Sequence, residues 1–365
     1  MLETSLKLLK KIEEQGFNAY IVGGFVRDRL LGIETIDVDI TTNATPKDLR
    51  DIFQNSLLPS ETYGSVTVVI KNVHFEITTF RRESGYIGHR RPTVVEYIND
   101  LLEDLTRRDF TINTICMDSD GNIIDLMGAT KDLEAKVIDT VGESSEKIHE
   151  DALRILRAIR FATKLDFNLK QRVKEAIVQN KELLKELSYN RKKQELDKIF
   201  ASSNAKHGID LLLELGLDQV LELYNLHDVK LNTDLIGIWS SLEVSNEYPF
   251  TNHEKEMISN IKEIVKDGTI SNKCLYKYGL YVCSVAGDML NIDRDIITAK
   301  YGELSIYSRK DISLTSEEII ATLNKPAGYY IKEIYNDLED KILDKHLLNE
   351  KESLRNYITK NYLGG

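Results

Sequence analysis

Alternation of apolar and polar positions is concentrated in the first third of the chain. Ser65-Val-Thr-Val-Val-Ile70 and Val73-His-Phe-Glu-Ile-Thr-Thr-Phe80 repeat with period two on either side of Lys71-Asn72 and predict a β-hairpin. Residues 18–22 predict a further strand, 25–31 a short helix, and Asp37-Val-Asp-Ile40 a fourth strand, which makes the first ~125 residues an α/β unit. Beyond Ile138 the spacing lengthens to three and four, as in Leu153, Leu156 and Ile159 or Leu211, Leu212 and Leu215, and the remainder is predicted to be helical. The class is therefore α+β, strands first and helices after. Weak punctuation at Ser202-Ser203-Asn204, Asp267-Gly268 and Tyr301-Gly302 suggests helical subdomains rather than flexible linkers.

At ~150 residues per domain, 365 residues should hold two or three domains. Apolar residues at 42% and charged residues at 29%, with 5 Pro and 20 Gly, exclude collagen-like and low-complexity classes. Cys116, Cys274 and Cys283 lie far apart with no CxxC pair, so neither a structural zinc site nor a disulfide framework is expected. No window approaches the ~18 uninterrupted apolar residues of a membrane span, and MLETSLKLLKKIEEQGF reads as an amphipathic helix without a signal peptide's apolar core. The expectation is a cytoplasmic protein with no membrane partner.

A net charge of −11 argues superficially against a polyanionic ligand. Yet residues 151–200 carry 13 Lys/Arg against 7 Asp/Glu, a local balance of +6. Such a patch attracts phosphates, although a solvated helix face gives the same count.

Four segments carry candidate chemistry. Gly23-Gly24 follows the strand end Tyr20-Ile21-Val22 and precedes the helix bearing Arg27; paired glycines let backbone N–H groups approach a phosphate, or simply make a tight turn. Asp37 and Asp39 share one face of their strand, with Val38 and Ile40 on the other. Adjacent carboxylates repel unless a cation neutralises them, and hard oxygen donors suit Mg²⁺ together with substrate phosphates. In phosphoryl transfer a metal pair activates a hydroxyl and stabilises the leaving pyrophosphate. Glu76 reads as a strand carboxylate facing water or, against that, as a third acid of this pocket.

In Leu105-Thr-Arg-Arg-Asp-Phe-Thr-Ile-Asn113, a helical backbone sets Asp109 and Asn113 one turn apart beside Arg107 and Arg108, suited to sugar hydroxyls and phosphates or to a capped helix with an ion pair. In Glu150-Asp-Ala-Leu-Arg-Ile-Leu-Arg-Ala-Ile-Arg160, the residues Asp151, Arg154, Arg157 and Arg160 recur every three positions along a slanting helical stripe. Cytosine and adenine each present an amino donor beside a ring-nitrogen acceptor, so one Asp and one Arg match both and mismatch uracil and guanine. Arg157 and Arg160 then reach phosphate or sustain the stripe. The alternative is a Glu150–Arg154 helix pair worth ~0.3–0.5 kcal/mol.

Taken in order, Gly23-Gly24-Phe-Val-Arg27-Asp28, Asp37-Val-Asp39, Arg107-Arg108-Asp109-Phe-Thr-Ile-Asn113 and Glu150-Asp151-Ala-Leu-Arg154-Ile-Leu-Arg157 resemble the bacterial class II tRNA nucleotidyltransferases, the CCA-adding family of the polymerase-beta superfamily. The likeness is dense over residues 18–200, thinner beyond, and returns at Lys325-Pro-Ala-Gly328. It implies a nucleotidyltransferase head with a mixed β-sheet over residues 1–138, then an all-helical neck (139–200), body (201–300) and tail (301–365) that hold the tRNA acceptor arm. It implies that Asp37 and Asp39 bind Mg²⁺, that Gly24, Arg27 and Arg108 contact the triphosphate, and that Asp109 and Asn113 sense the ribose. Asp151 and Arg154 would act as an amino-acid template, with Arg157 and Arg160 completing the pocket. The implied reaction is template-independent addition of C, C and A from CTP and ATP to the tRNA 3′ end, with release of pyrophosphate.

Phe80-Arg-Arg-Glu-Ser-Gly-Tyr-Ile-Gly-His-Arg-Arg-Pro92 keeps the full-length loop that goes with adding the terminal A, and Gly85 and Gly88 fit a mobile element. Gly128-Ala129 and Asn190-Arg191 depart from the family's usual Gly-Gly and Glu-Arg, the second touching how the neck helices are braced. A poly(A) polymerase or A-only tRNA enzyme shares the head and neck motifs; the balance of −8 beyond Ala201 (18 Lys/Arg, 26 Asp/Glu) argues against it. A non-catalytic RNA-binding protein is opposed by the intact Asp37/Asp39 pair. Lys192 is expected to meet RNA phosphate. The sequence leaves the oligomeric state open.

Overall fold

The computed structural model describes residues 1–54, 56–60, 64–70, 73–88, 91–231 and 234–363. The chain forms two compact units, Met1–His227 with Val244–Pro249, and Asp228–Glu243 with Phe250–Gly365.

In the first unit, α1 (Leu2–Glu13) leads into β1 (Ala19–Val22), α2 (Gly24–Leu30), β2 (Asp39–Thr42), α3 (Pro46–Ile52), β3 (Ser56–Ser60), β4 (Ser65–Ile70) and β5 (Val73–Thr79). After these come β6 (Arg81–Ile87), β7 (Arg91–Tyr97), α4 (Leu101–Thr106), β8 (Cys116–Met117) and β9 (Ile123–Ile124). Seven strands make one sheet in the order β3-β4-β5-β2-β1-β8-β9. Because β2 and β5 run parallel while β1 is antiparallel to β2 and β8, the sheet is mixed. The expected hairpin is present as β4 and β5, closing at the Ile70–Val73 pair; Lys71 and Asn72 lie outside the described residues. Val66, Val68, Phe75, Ile77, Ile21 and Ile40 are its buried face.

Two expectations change. Strand β2 begins at Asp39, opposite Val22 where β1 ends, so Asp37 sits in the irregular segment before it. Residues of the expected mobile loop are paired instead as β6 and β7, from Arg81–Tyr97 to Ile87–Arg91, while His89 and Arg90 lie outside the described residues.

Helices then dominate: α5 (Thr130–Glu134), α6 (Ser144–Glu150), α7 (Leu153–Leu165), α8 (Gln171–Asn180), α9 (Tyr189–Phe200) and α10 (Ala205–Glu214), with one short parallel pair, β10 (Val137–Ile138) and β11 (Asn168–Leu169).

The second unit is helical throughout its described residues: α11 (Leu235–Ser241), α12 (Asn252–Asp267), α13 (Asn272–Met289), α14 (Arg294–Gly302), α15 (Ser316–Leu323), α16 (Tyr330–Leu343) and α17 (Lys351–Tyr362). Its core includes Ile261, Leu275, Val285, Ile319, Leu338 and Ile358. Thr251 opens α12 with a reciprocal capping box to Glu254. Helix α13 kinks at Gly279 (φ 77°, ψ 168°), within the stretch that separates Cys274 from Cys283. Their sulfurs meet at 3.5 Å as free thiols, although they stand nine positions apart in sequence.

Candidate active site at the end of the sheet

Gly23 ends β1 with φ 77° and ψ −132°, a conformation open to glycine and strained for any other residue. A Cβ placed there would stand 3.5 Å from Arg108 Nη1, 3.8 Å from the Asn113 carbonyl oxygen and 3.9 Å from Asp39 Oδ2. The glycine turn therefore lies close to both an acid and an arginine. Asp37 and Asp39 are exposed whereas Val38 and Ile40 are buried. Glu76, exposed on β5, is the ladder partner of Asp39 and so shares its sheet face. Among the described residues, none of these three acids forms a hydrogen bond or ion pair. The surrounding protein thins the water around the Asp39 carboxyl and pushes it above its usual value; Arg108 pulls it back, and Glu76 and Asp37 add to the rise. Hard oxygen donors of one charge suit a divalent cation, though among the described residues no three such side chains stand close enough to form a ready-made site.

Helix α4 sets the arginine beside this edge. Asp100 caps it by accepting from the Glu103 N–H at 2.9 Å. Asp104, fully buried, accepts from Arg107 Nε at 2.9 Å and from the Arg81 N–H at 3.1 Å, and lies 3.7 Å from Arg108 Nη2. The sequence reading missed Asp104; its signal is an acid three and four positions ahead of the paired arginines. Burial lowers the pKa of the Arg108 guanidinium, and Arg107 lowers it further. Its Nε–H is buried without an acceptor.

Asp109 and Asn113 are not on an α-helix. Phe110 bridges to Thr140, and the Thr111 N–H donates to the Asp139 carbonyl at 2.9 Å, which draws the backbone into a turn and a single 3₁₀ turn over Thr111–Asn113. The two side chains still meet: Asn113 Nδ2 donates to Asp109 Oδ1 at 2.9 Å, and Asn113 Oδ1 accepts from Arg27 Nη1 at 2.6 Å. Arg27 Nε donates to Asp28 at 2.7 Å. Arg157 Nε reaches Asp109 Oδ2 at 2.8 Å from α7. Burial alone would raise the Asp109 carboxyl, but Arg157 and the Asn113 amide outweigh it and hold it at about 2.

The predicted stripe is interrupted. Asp151 occupies the extended joint between α6 and α7 (φ −145°, ψ 101°), where its carboxylate accepts from the Leu153 N–H at 3.0 Å, so only Arg154, Arg157 and Arg160 lie on the helix. Arg154 is buried; its Nη1 donates to the Lys147 carbonyl at 2.7 Å and to Glu150 at 2.6 Å, and its Nη2 to the Arg107 carbonyl at 3.2 Å. The Glu150–Arg154 pair thus forms. Arg160 Nε stands 2.6 Å from Glu195 Oε2 but misaligned, so neither atom completes a hydrogen bond; the charges face each other across α7 and α9, the helix that carries Asn190-Arg191. Lys192 points inward, buried with Nζ 4.2 Å over the Tyr189 ring, and so cannot meet RNA phosphate. Lys170 and Arg172 likewise engage Asp139. Part of the basic count over residues 151–200 is thus buried or paired with acids of the same unit.

A mixed sheet offering acids beside a glycine turn, with arginine donors behind, is the architecture of a nucleotidyltransferase. Residues 19–139 match the Poly A polymerase head domain, 166–224 the Probable RNA and SrmB-binding site of polymerase A, and 242–358 the tRNA nucleotidyltransferase domain 2. The chain is 34% identical to the CCA-adding enzyme of Ligilactobacillus salivarius over 96% of this chain and 94% of that one, and 30% identical to that of Bacillus subtilis over 97% of each. The structure of the Bacillus stearothermophilus CCA-adding enzyme in complex with CTP superposes with a TM-score of 0.86 at 29% identity, covering 98% of this chain and 96% of that one. The chain belongs to the CCA-adding enzyme family, and its activity is the addition of CCA to tRNA. No helix among the described residues is long and apolar enough to cross a membrane.

Proposed function

We propose that a single site at the glycine end of the sheet adds C, C and A in turn to the 3′ end of tRNA, taking CTP and ATP and releasing pyrophosphate, without a nucleic-acid template. Asp37 and Asp39 would hold Mg²⁺, with Glu76 beside them. The bound ion supplies charge neutralisation and an acidified 3′-hydroxyl for in-line attack on the α-phosphate. The main supporting observation is that Asp39 Oδ2 and Arg108 Nη1 both stand close to the turn at Gly23, where Asp39 has no partner among the described residues and the buried Arg108 Nε–H has no acceptor. A triphosphate lying there satisfies both.

In this reading Gly24 lets the phosphates approach the backbone, and Arg27 and Arg108 donate to them. Asp109 and Asn113 orient the ribose. Asp151 accepts from the exocyclic amine of cytosine or adenine. Three hydrogen bonds fix the Arg154 guanidinium and leave Nε–H and one Nη2–H of its five donors to meet the ring nitrogen. Rigidity here serves selectivity, because a fixed donor cannot turn to suit a carbonyl. Arg157 and Arg160 complete the pocket. We read residues 1–138 as head, 139–200 as neck, 201–300 as body and 301–365 as tail, the helical parts holding the acceptor arm through shape and phosphate contacts, in the cytoplasm.

The test supplies each nucleoside triphosphate separately to tRNA lacking CCA, tRNA ending in CC and complete tRNA. C is expected on the first, A on the second and nothing on the third. Addition of A to CC ends without any addition of C would replace this reading with an A-adding enzyme. Arg154→Ala should admit UTP and GTP at the expense of selectivity while tRNA affinity holds; unchanged base choice would remove Arg154 from the template.

A further inference from the structure

Phe161 lies on α7 one residue after Arg160 and four after Arg157, with its ring buried. Three guanidiniums surround that ring, their central carbons 4.2 Å (Arg160), 5.1 Å (Arg27) and 5.5 Å (Arg157) from its centroid. Arg27 comes from α2, directly after the glycine turn, and the other two from the base-reading helix. Phe110, next to Asp109, meets the ring edge-on at 5.7 Å and 78°.

Gathering three cations costs mutual repulsion. Asp28, Asp109 and Glu195 each offset one of them, but through the same N–H edges that a phosphate needs. A ring attracts a guanidinium through its π face and leaves those edges available. When a triphosphate displaces the carboxylates, the contact with Phe161 persists through the exchange.

We propose that Phe161 is a positioning residue for the incoming nucleotide, its π face holding Arg27, Arg157 and Arg160 as one cationic cluster spanning the phosphate and base ends of the site. The proposal rests on the nucleotide-binding role given above to those arginines. Its chemistry is the negative face of the ring, which separates it from mere filling of space.

The experiment replaces Phe161 in the full chain by mono-, di- and trifluorophenylalanine, which keep the ring's shape while draining its face, and by Tyr and Leu. The KM for CTP and ATP should climb stepwise with fluorine, about three- to tenfold by the third, with kcat within about twofold. Phe161→Tyr should stay near the parent, and Phe161→Leu should raise KM about tenfold or more. A flat KM through the fluorinated series, at unchanged melting temperature, overturns the proposal even where Phe161→Leu is inactive. Asp39→Ala run alongside separates the two readings: loss of incorporation there with a flat fluorine series removes only the role of Phe161, whereas incorporation that survives Asp39→Ala removes the proposed chemistry itself.

Discussion

The acidic edge and the arginine cluster belong to the same unit and carry charge in opposite ways. Asp37, Asp39 and Glu76 have no partner among the described residues, and burial, with the two neighbouring acids adding to it, pushes Asp39 above its usual pKa. Arg27, Arg154 and Arg157 are each hydrogen-bonded to a carboxylate, and Arg160 faces Glu195. The edge lacks a counter-charge, which in the proposed function a cation would supply. The cluster is already paired, and in the same proposal it would bind an anion by exchanging partners. Counting charge along a chain cannot separate these cases, since Lys192 contributes to a basic stretch yet is buried, and Arg172, though exposed, is paired with Asp139.

The sharpest break of this comparison is Asp39→Ala, expected to lower nucleotide incorporation by roughly 10³-fold or more in single-turnover assays, with tRNA binding retained. A loss below tenfold would show that the edge does not carry the chemistry. On the paired side, Asp109→Ala strands the Arg157 charge and should destabilise the protein by about 3–5 kcal/mol in urea titrations; a change under about 1 kcal/mol would mean that the pair is dispensable.

The same carboxylate gives a pH dependence. With its folded value at about 2 against an ordinary 3.8, Asp109 contributes stability that is present above pH ~4 and lost as pH falls towards 2, about 2 kcal/mol in all. Between pH 6 and 2.5 the parent should lose more stability than Asp109→Asn by most of that amount, and parallel losses would contradict the assignment. Lys192→Ala should cost about 1–2 kcal/mol of stability through lost packing and the lost Tyr189 contact while leaving the salt dependence of tRNA binding unchanged. A reduced salt slope would place Lys192 on the RNA after all. Smallest of all, Thr251→Ala in the second unit removes a helix cap for about 1 kcal/mol and should leave the KM for CTP and ATP untouched.

Much of the fold was open to reading along the chain. Period-two alternation located the β4–β5 hairpin, Gly23 marked the end of β1, and the acid-apolar alternation from Asp37 to Ile40 set both aspartates outward. Boundaries were less secure where a distant strand decides them, as at Asp37, which precedes the β2 ladder that begins with Asp39 opposite Val22. The helix expected through Asp109 gave way to a bridge between Phe110 and Thr140, and the stripe from Asp151 broke at the joint between α6 and α7.

Sequence alone determined the elements, the residue types of the site and the order of motifs that marks the family, because these follow from spacing between near neighbours. Tertiary structure alone decided which charges meet. It set Glu76 opposite Asp39, buried Asp104 behind two arginines, turned Lys192 inward and brought the ring of Phe161 against Arg27. A side chain's partner across a sheet or between helices depends on register and packing of segments far apart in the chain, and a local pattern holds no record of either.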